Sequence, residues 1–137
     1  MSNTYKKPRP QPSVESAPYW DYCNRKELRL QQCLSCGQFV HYPCVLCPVD
    51  GSPNLDWVKV SGKGNIFSYT ISHRAFHPGF VDDAPYVIAI IELAEGPRMM
   101  CRIRDVEPDD VSIGMAVEVF FEVVAPDLTL PFFKPAN

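Results

Sequence analysis

The chain has 137 residues, 46% hydrophobic and 21% charged, enough for one main core plus a small satellite, which excludes both a disordered chain and a large multidomain enzyme. Thirteen Lys and Arg against sixteen Asp and Glu give a net charge of -3, and Lys6, Lys7 and Arg9 all sit at the N-terminal end, a poor electrostatic footprint for a nucleic-acid binder. No apolar run approaches the roughly 20 residues needed to cross a bilayer, and MSNTYKKPRPQPS lacks the apolar stretch of a secretory leader, so no membrane association and a cytoplasmic location are expected.

Residues 1–17 carry Pro8, Pro10 and Pro12 among polar residues and predict a flexible arm. From Pro18, APYWDYCNRKEL predicts a short helix opened by proline, and Leu28 to Gln32 a strand that leads into CLSCGQFVHYPCVLCPVDGSP, where Gly and Pro mark tight turns. Residues 18–53 are thus read as a helix and a cysteine-rich ribbon.

Beyond Asn54 the period changes to two. LDWVKVSG is a strand candidate, and in IFSYTISH the residues Phe67, Tyr69, Ile71 and His73 fall on one face. PYVIAIIEL is almost continuously apolar and predicts a strand buried on both faces. RMMCRIR sets Met99, Cys101 and Ile103 against Arg98, Arg102 and Arg104, while AVEVFFEV sets Val117, Val119, Phe121 and Val123 against Glu118 and Glu122. Five strand candidates between 54 and 125 predict a five-stranded OB-fold barrel, and 126–137 is read as a C-terminal tail packed on the body. The fold class expected is mainly β, with an N-terminal helix and ribbon ahead of the barrel.

Six cysteines in a reducing compartment point to metal or thiol chemistry. Cys33-Leu34-Ser35-Cys36-Gly37 is a knuckle that presents two thiolates from one turn, with a glycine free to leave at positive φ. The second turn has two registers. Cys44 with Cys47 supplies the softer donor set, whereas Cys47-Pro48-Val49-Asp50-Gly51 repeats the layout of the first turn with a carboxylate in the fourth place. Zinc held by Cys33, Cys36, Cys47 and Cys44, with Asp50 as the alternative fourth ligand, is the expectation.

The entry PYWDYCNRKELRLQQC, the knuckle Cys33 to Gly37, CPVDGS from Cys47 to Ser52, Trp57, GKGNIFSYTISH, PYVIAIIEL, SIGMAVEV and the tail FFKPA together resemble one family. It is the acyl-CoA-associated family that joins a rubredoxin-like zinc ribbon to an OB-fold beside thiolase-like enzymes. The family pattern carries cysteine at the place of Asp50 and not at Cys44. The resemblance implies a structural zinc and a non-catalytic subunit that docks on a thiolase, aldolase or acyltransferase and shapes its acyl-CoA entrance. Its alternative partner is a hotdog-fold enoyl-CoA hydratase. A hetero-oligomer with a coenzyme A thioester as ligand is the corresponding expectation.

Catalysis by the chain itself needs a nucleophile with a base, and His73, His77, Asp82, Asp83 and Cys101 are the candidates. Pro78 and Gly79 argue against a helical pairing of His73 with His77, and Cys101 sits on an apolar face. Arg98 and Arg102, with Lys63 and Arg74 nearby in a barrel, form a candidate patch for phosphates, and His77 and Phe80 a candidate ligand loop. The competing class is a single-stranded nucleic-acid module in which Phe67 and Tyr69 stack bases, which the net charge opposes. Trp20 and Tyr42 are candidate interface anchors because each hides apolar area while keeping one polar atom to pair.

Overall fold

The structure, a computed structural model, describes residues 5–136. Its helix α1 (Ala17–Asn24) has proline in the first turn. Just upstream, the amides and hydroxyls of Ser13 and Ser16 bond reciprocally at 2.9 and 3.1 Å, which bends the chain into the helix. Strand β1 (Arg29–Cys33) pairs antiparallel with β2 (Phe39–Val40) on one side and β3 (Leu55–Lys59) on the other, giving a three-stranded ribbon sheet.

Strands β4 (Lys63–Ser72), β5 (Tyr86–Leu93), β6 (Arg98–Ile103), β7 (Ala116–Ala125) and β8 (Leu128–Pro135) close a barrel in the order β4-β5-β6-β8-β7, with β7 pairing back to β4. This is the OB-fold anticipated from the sequence. Its membership differs from the expectation in two places. LDWVKV pairs along its whole length with β1 and so belongs to the ribbon sheet. The fifth barrel strand comes instead from Leu128–Pro135, the segment read as a tail, whose Phe133 is fully buried.

Proline hid that strand, and the register shows why it is tolerated. Arg104 donates its amide to the Phe133 carbonyl at 2.8 Å, so the odd-numbered backbone groups of β8 point toward β6. Pro131 therefore directs its missing N–H into the parallel seam, where Ile103 opposite Phe133 is the one paired position among the described residues. Two other local expectations change. A bulge between Ile66 and Ser68 turns Phe67 outward, away from the face of Tyr69 and Ile71, and Arg98 lies 3.7 Å from its ring centroid. Strand β5 alternates rather than being buried on both faces: Val87, Ala89, Ile91 and Leu93 point inward and Ile88 and Ile90 lie outside.

One core runs through both modules. Tyr19 and Cys23 of α1 and Leu28 and Leu30 of the ribbon pack in the same cluster as Ile66, Ile91, Val117 and Phe133 of the barrel. The helix is thus docked on the barrel, which buries Tyr19 and Cys23 of an element too short to bury them itself. Gly64 permits the tight β4–β5 crossing, since a Cβ there would lie 2.4 Å from the Glu92 carbonyl oxygen. Among the described residues no helix is long and apolar enough to cross a membrane.

Candidate metal centre and seam groove

Two turns of the same design face each other at the end of the ribbon. In the first, Gly37 donates its amide to the Cys33 carbonyl at 2.8 Å and Cys33 donates to Gln38 at 2.9 Å. In the second, Gly51 donates to Cys47 at 2.8 Å and Cys47 to Ser52 at 2.8 Å. Gly37 and Gly51 hold φ of 79° and 75°, the left-handed exit that only glycine adopts without strain. Cys36 and Val49 also aim their amides at the sulfurs of Cys33 and Cys47, at 3.5 and 3.4 Å.

These turns bring together Cys33, Cys36, Cys47 and Asp50, whose ligating atoms all lie within 4.8 Å of one another. The spacing can be tested against a tetrahedral ion. With metal–sulfur bonds of about 2.3 Å and metal–oxygen bonds of about 2.0 Å, the tetrahedron's edges are about 3.8 Å between sulfurs and about 3.5 Å between sulfur and oxygen. Here Cys36 Sγ lies 3.8 Å from Cys47 Sγ, and Cys33 Sγ lies 3.6 and 3.7 Å from the Asp50 oxygens. The donor set fits a divalent ion.

Electrostatics point the same way. The Cys36 amide, more than any other group, lowers the Cys33 thiol below its ordinary value. The Ser52 amide chiefly holds the Asp50 carboxyl below the usual range. The Gln38 amide also favours the Cys36 thiolate, but desolvation, the neighbouring Cys33 and Cys47 sulfurs and the Asp50 charge outweigh it and push the thiol up to about 11. Amides that favour thiolates, beside a sulfur that resists ionising next to the others, make a cluster that a cation would complete.

Cys44, the first choice for the fourth ligand, stands outside the cluster. Its amide donates to Gln31 Oε1 at 2.9 Å, and Gln31 Nε2 donates to its carbonyl at 3.0 Å, so a buried glutamine clamps this stretch of backbone. Burial raises the Cys44 thiol. The geometry is that of the pseudosymmetric register, with the carboxylate in the fourth place.

The candidate ligand residues divide. A groove of about 670 Å³ runs along the outer barrel surface beside the β6–β8 seam, and Arg102 and Phe80 line it. Phe80 stacks on Tyr86 with centroids 5.6 Å apart, and Arg102 lies 5.1 Å from the Tyr86 centroid. Lys63, Arg74, His77 and Arg98 lie outside it. Arg98 pairs with Glu92 at 3.0 Å, Lys63 opens β4 opposite Glu118, and the Arg74 carbonyl accepts the Ser72 hydroxyl. His77 accepts the Gly79 amide on Nδ1 at 2.9 Å, capping a short 3-10 turn (Pro78–Asp83). Sequence reasoning missed Lys7, which reaches the groove from the N-terminal arm; no local pattern marks it. Cys101 lies at the floor, bonded to the Pro131 carbonyl, and burial pushes its thiol up to about 12.

Of the interface candidates, Trp20 is half-buried, edge-on to Tyr19 at 5.1 Å and packed against the core. Tyr42 is 60% exposed at a positive φ of 41°, and its hydroxyl accepts the Met100 amide at 3.3 Å, tying the ribbon to β6. Leu34, Val45, Leu46 and Val49 of the ribbon turns are likewise exposed.

Residues 20–56 match the family description "ChsH2, rubredoxin-like zinc ribbon domain" and residues 57–122 match "ChsH2, C-terminal OB-fold domain". The chain is 36% identical over 130 residues to the probable enoyl-CoA hydratase alpha subunit of Thermomonospora curvata, a match that covers 95% of this chain and 40% of that subunit. It is 40% identical over 113 residues to a DUF35 domain-containing scaffold protein of Methanothermobacter thermautotrophicus, covering 81% of this chain and 84% of the relative. Among solved structures, a chain of the Ltp2-ChsH2(DUF35) aldolase superposes with a TM-score of 0.86 at 36% identity, over 94% of this chain and all of that one. The two family models follow one another over residues 20–122, and the chain belongs to the ChsH2/DUF35 family, in which a rubredoxin-like zinc ribbon precedes an OB-fold.

Proposed function

We propose that this chain is a non-catalytic accessory subunit of a thiolase-like enzyme acting on an acyl-CoA, docking on the enzyme and lining its coenzyme A entrance. The observation that carries the reading is the likeness, over 94% of this chain and all of the other, to a chain of the Ltp2-ChsH2(DUF35) aldolase. The residues support it from below. His77 Nδ1 is engaged by a backbone amide, and the Cys101 thiol is held protonated by burial, so neither is poised as a base or nucleophile. Arg98 and Arg104 each pair with a carboxylate, and Arg102, paired with Asp83, keeps one unanswered Nε donor, so this strand face offers a single anchoring point and not the row of free cations that a nucleic-acid backbone needs.

In this reading zinc sits among Cys33, Cys36, Cys47 and Asp50 and holds the two ribbon turns together, leaving Tyr42 and the exposed apolar residues of the ribbon turns to meet the enzyme. The seam groove, with Arg102 for phosphate and the Phe80–Tyr86 pair for an adenine or acyl face, is where the coenzyme A thioester lies. A second reading, the accessory subunit of an enoyl-CoA hydratase, rests on the hydratase alpha subunit of Thermomonospora curvata. Affinity purification of the tagged chain from its own cells separates them. A stoichiometric thiolase-fold enzyme supports the first, a hotdog-fold hydratase the second, and recovery of the chain alone contradicts both.

A further inference from the structure

The N-terminal segment was expected to be a solvated arm, yet its described part is seated on the barrel at three places. Lys7 Nζ lies 3.0 Å from Asp83 Oδ2 and 5.4 Å from the Phe80 ring centroid. Arg9 pairs with Asp127 at 2.8 Å. Between them the backbone presses on the 3-10 turn so closely that a Cβ on Gly79 would lie 2.6 Å from the Lys6 carbonyl oxygen. Tyr5, Lys6 and Lys7 form one side of the seam groove, and Tyr86, Ile88, Met100 and Phe132 belong to the barrel side. The space remains open with the segment in place, so the segment is a wall and not a plug.

Two of its fastenings can give way. The Arg9–Asp127 pair is largely exposed, and the Asp83 oxygen that takes Lys7 also takes Arg102 at 2.9 Å, so that one carboxylate is shared by a strap residue and a groove residue. Arg102 Nε is buried and has no hydrogen-bond partner among the described residues, an unanswered donor beside the groove.

We propose that residues Tyr5 to Arg9 are a movable wall of the seam groove, closing down on a ligand that enters through the open side. The proposal rests on the reading of the groove as the coenzyme A site. By linkage, what the strap adds to ligand affinity the ligand returns as strap closure.

The test uses the full chain, coenzyme A as the probe, titration calorimetry for affinity and hydrogen exchange of the amides of Tyr5, Lys6, Lys7 and Arg9 for strap opening. Asp127→Ala cuts the remote fastening without touching a groove residue, and Gly79→Ala blocks seating directly. Expected are slower exchange of the segment when coenzyme A is bound, faster exchange in both variants, and affinity lowered about two- to fivefold by Asp127→Ala, the range of an exposed ion pair, and further by Gly79→Ala. Coenzyme A binding with affinity unchanged in both variants overturns the strap while leaving the groove reading intact. Exchange that neither responds to coenzyme A nor rises in Gly79→Ala overturns the seating itself. No binding of coenzyme A to any of the proteins overturns the groove reading, and the strap's role with it.

Discussion

Replacing Asp50 and Cys44 in turn discriminates the two possible metal registers. The Asp50 oxygens sit 3.6 and 3.7 Å from Cys33 Sγ, on the edge of a tetrahedron that the Cys36–Cys47 separation of 3.8 Å also fits, whereas the Cys44 sulfur is outside that group. Loss of an outer-shell partner alone costs about 10–100-fold in metal affinity, so loss of a ligand itself should cost on the order of 100-fold or more; each tenfold is about 1.4 kcal/mol, and Asp50→Ala should remove about 3 kcal/mol or more from the metal-loaded fold. Cys44→Ala removes a small, partly buried thiol and should cost less than about 1 kcal/mol. Asp50→Cys restores a four-thiolate set and should bind more tightly than the parent. Zinc content, competition with a chromophoric chelator and denaturant melts read these effects. Cobalt substitution adds a check, because thiolate-to-metal absorption should grow from Asp50 to Asp50→Cys and be unchanged in Cys44→Ala. Metal lost from Cys44→Ala but retained in Asp50→Ala would refute the reasoning and reinstate the Cys44 register.

Three further outcomes follow from packing and charge. Phe133→Ala, at a fully buried strand position, should destabilise the chain by about 3–5 kcal/mol in denaturant melts, whereas truncating a true tail residue would cost little. Burial lowers the His41 imidazole to about 4, and its Nδ1 has no hydrogen-bond partner among the described residues. The unfolded chain, titrating near 6.5, then binds more protons than the fold between these values, so stability falls as pH drops through that window, by up to about 3 kcal/mol. His41→Phe should lose less stability than the parent between pH 7 and pH 5, and an equal loss would contradict the assignment. Tyr42→Ala should weaken association with the enzyme partner by about 1 kcal/mol or more in a pull-down titration while zinc content is unchanged, and unaltered affinity would move the docking surface away from the ribbon.

Much of this architecture is legible in the residues because it is local. The knuckle at Cys33 and its echo at Cys47 follow from spacing and glycine alone, and the repeat of that layout already contained Asp50 as an alternative. The barrel's alternation is plain in Val117, Val119 and Phe121. What escaped depends on distant partners. Leu55–Lys59 reads like any strand, and only its pairing with β1 assigns it to the ribbon. Pro131 and Pro135 disguise β8, since a proline is harmful in a full ladder and harmless beside an open seam. The arginines divide for the same reason. Arg98 and Arg102 share a strand face, but Phe67, turned outward by a bulge, takes Arg98 away from the groove, and Lys7 arrives from more than seventy residues away in sequence to take a share of Asp83.

The most direct test of the central claim is turnover of an acyl-CoA substrate by the thiolase-like partner alone, by this chain alone, and by the two reconstituted together. The account predicts no turnover by this chain and full activity only in the reconstituted complex. Turnover by this chain in the absence of the partner, or a partner whose rate and substrate affinity are the same with and without it, would contradict an accessory role.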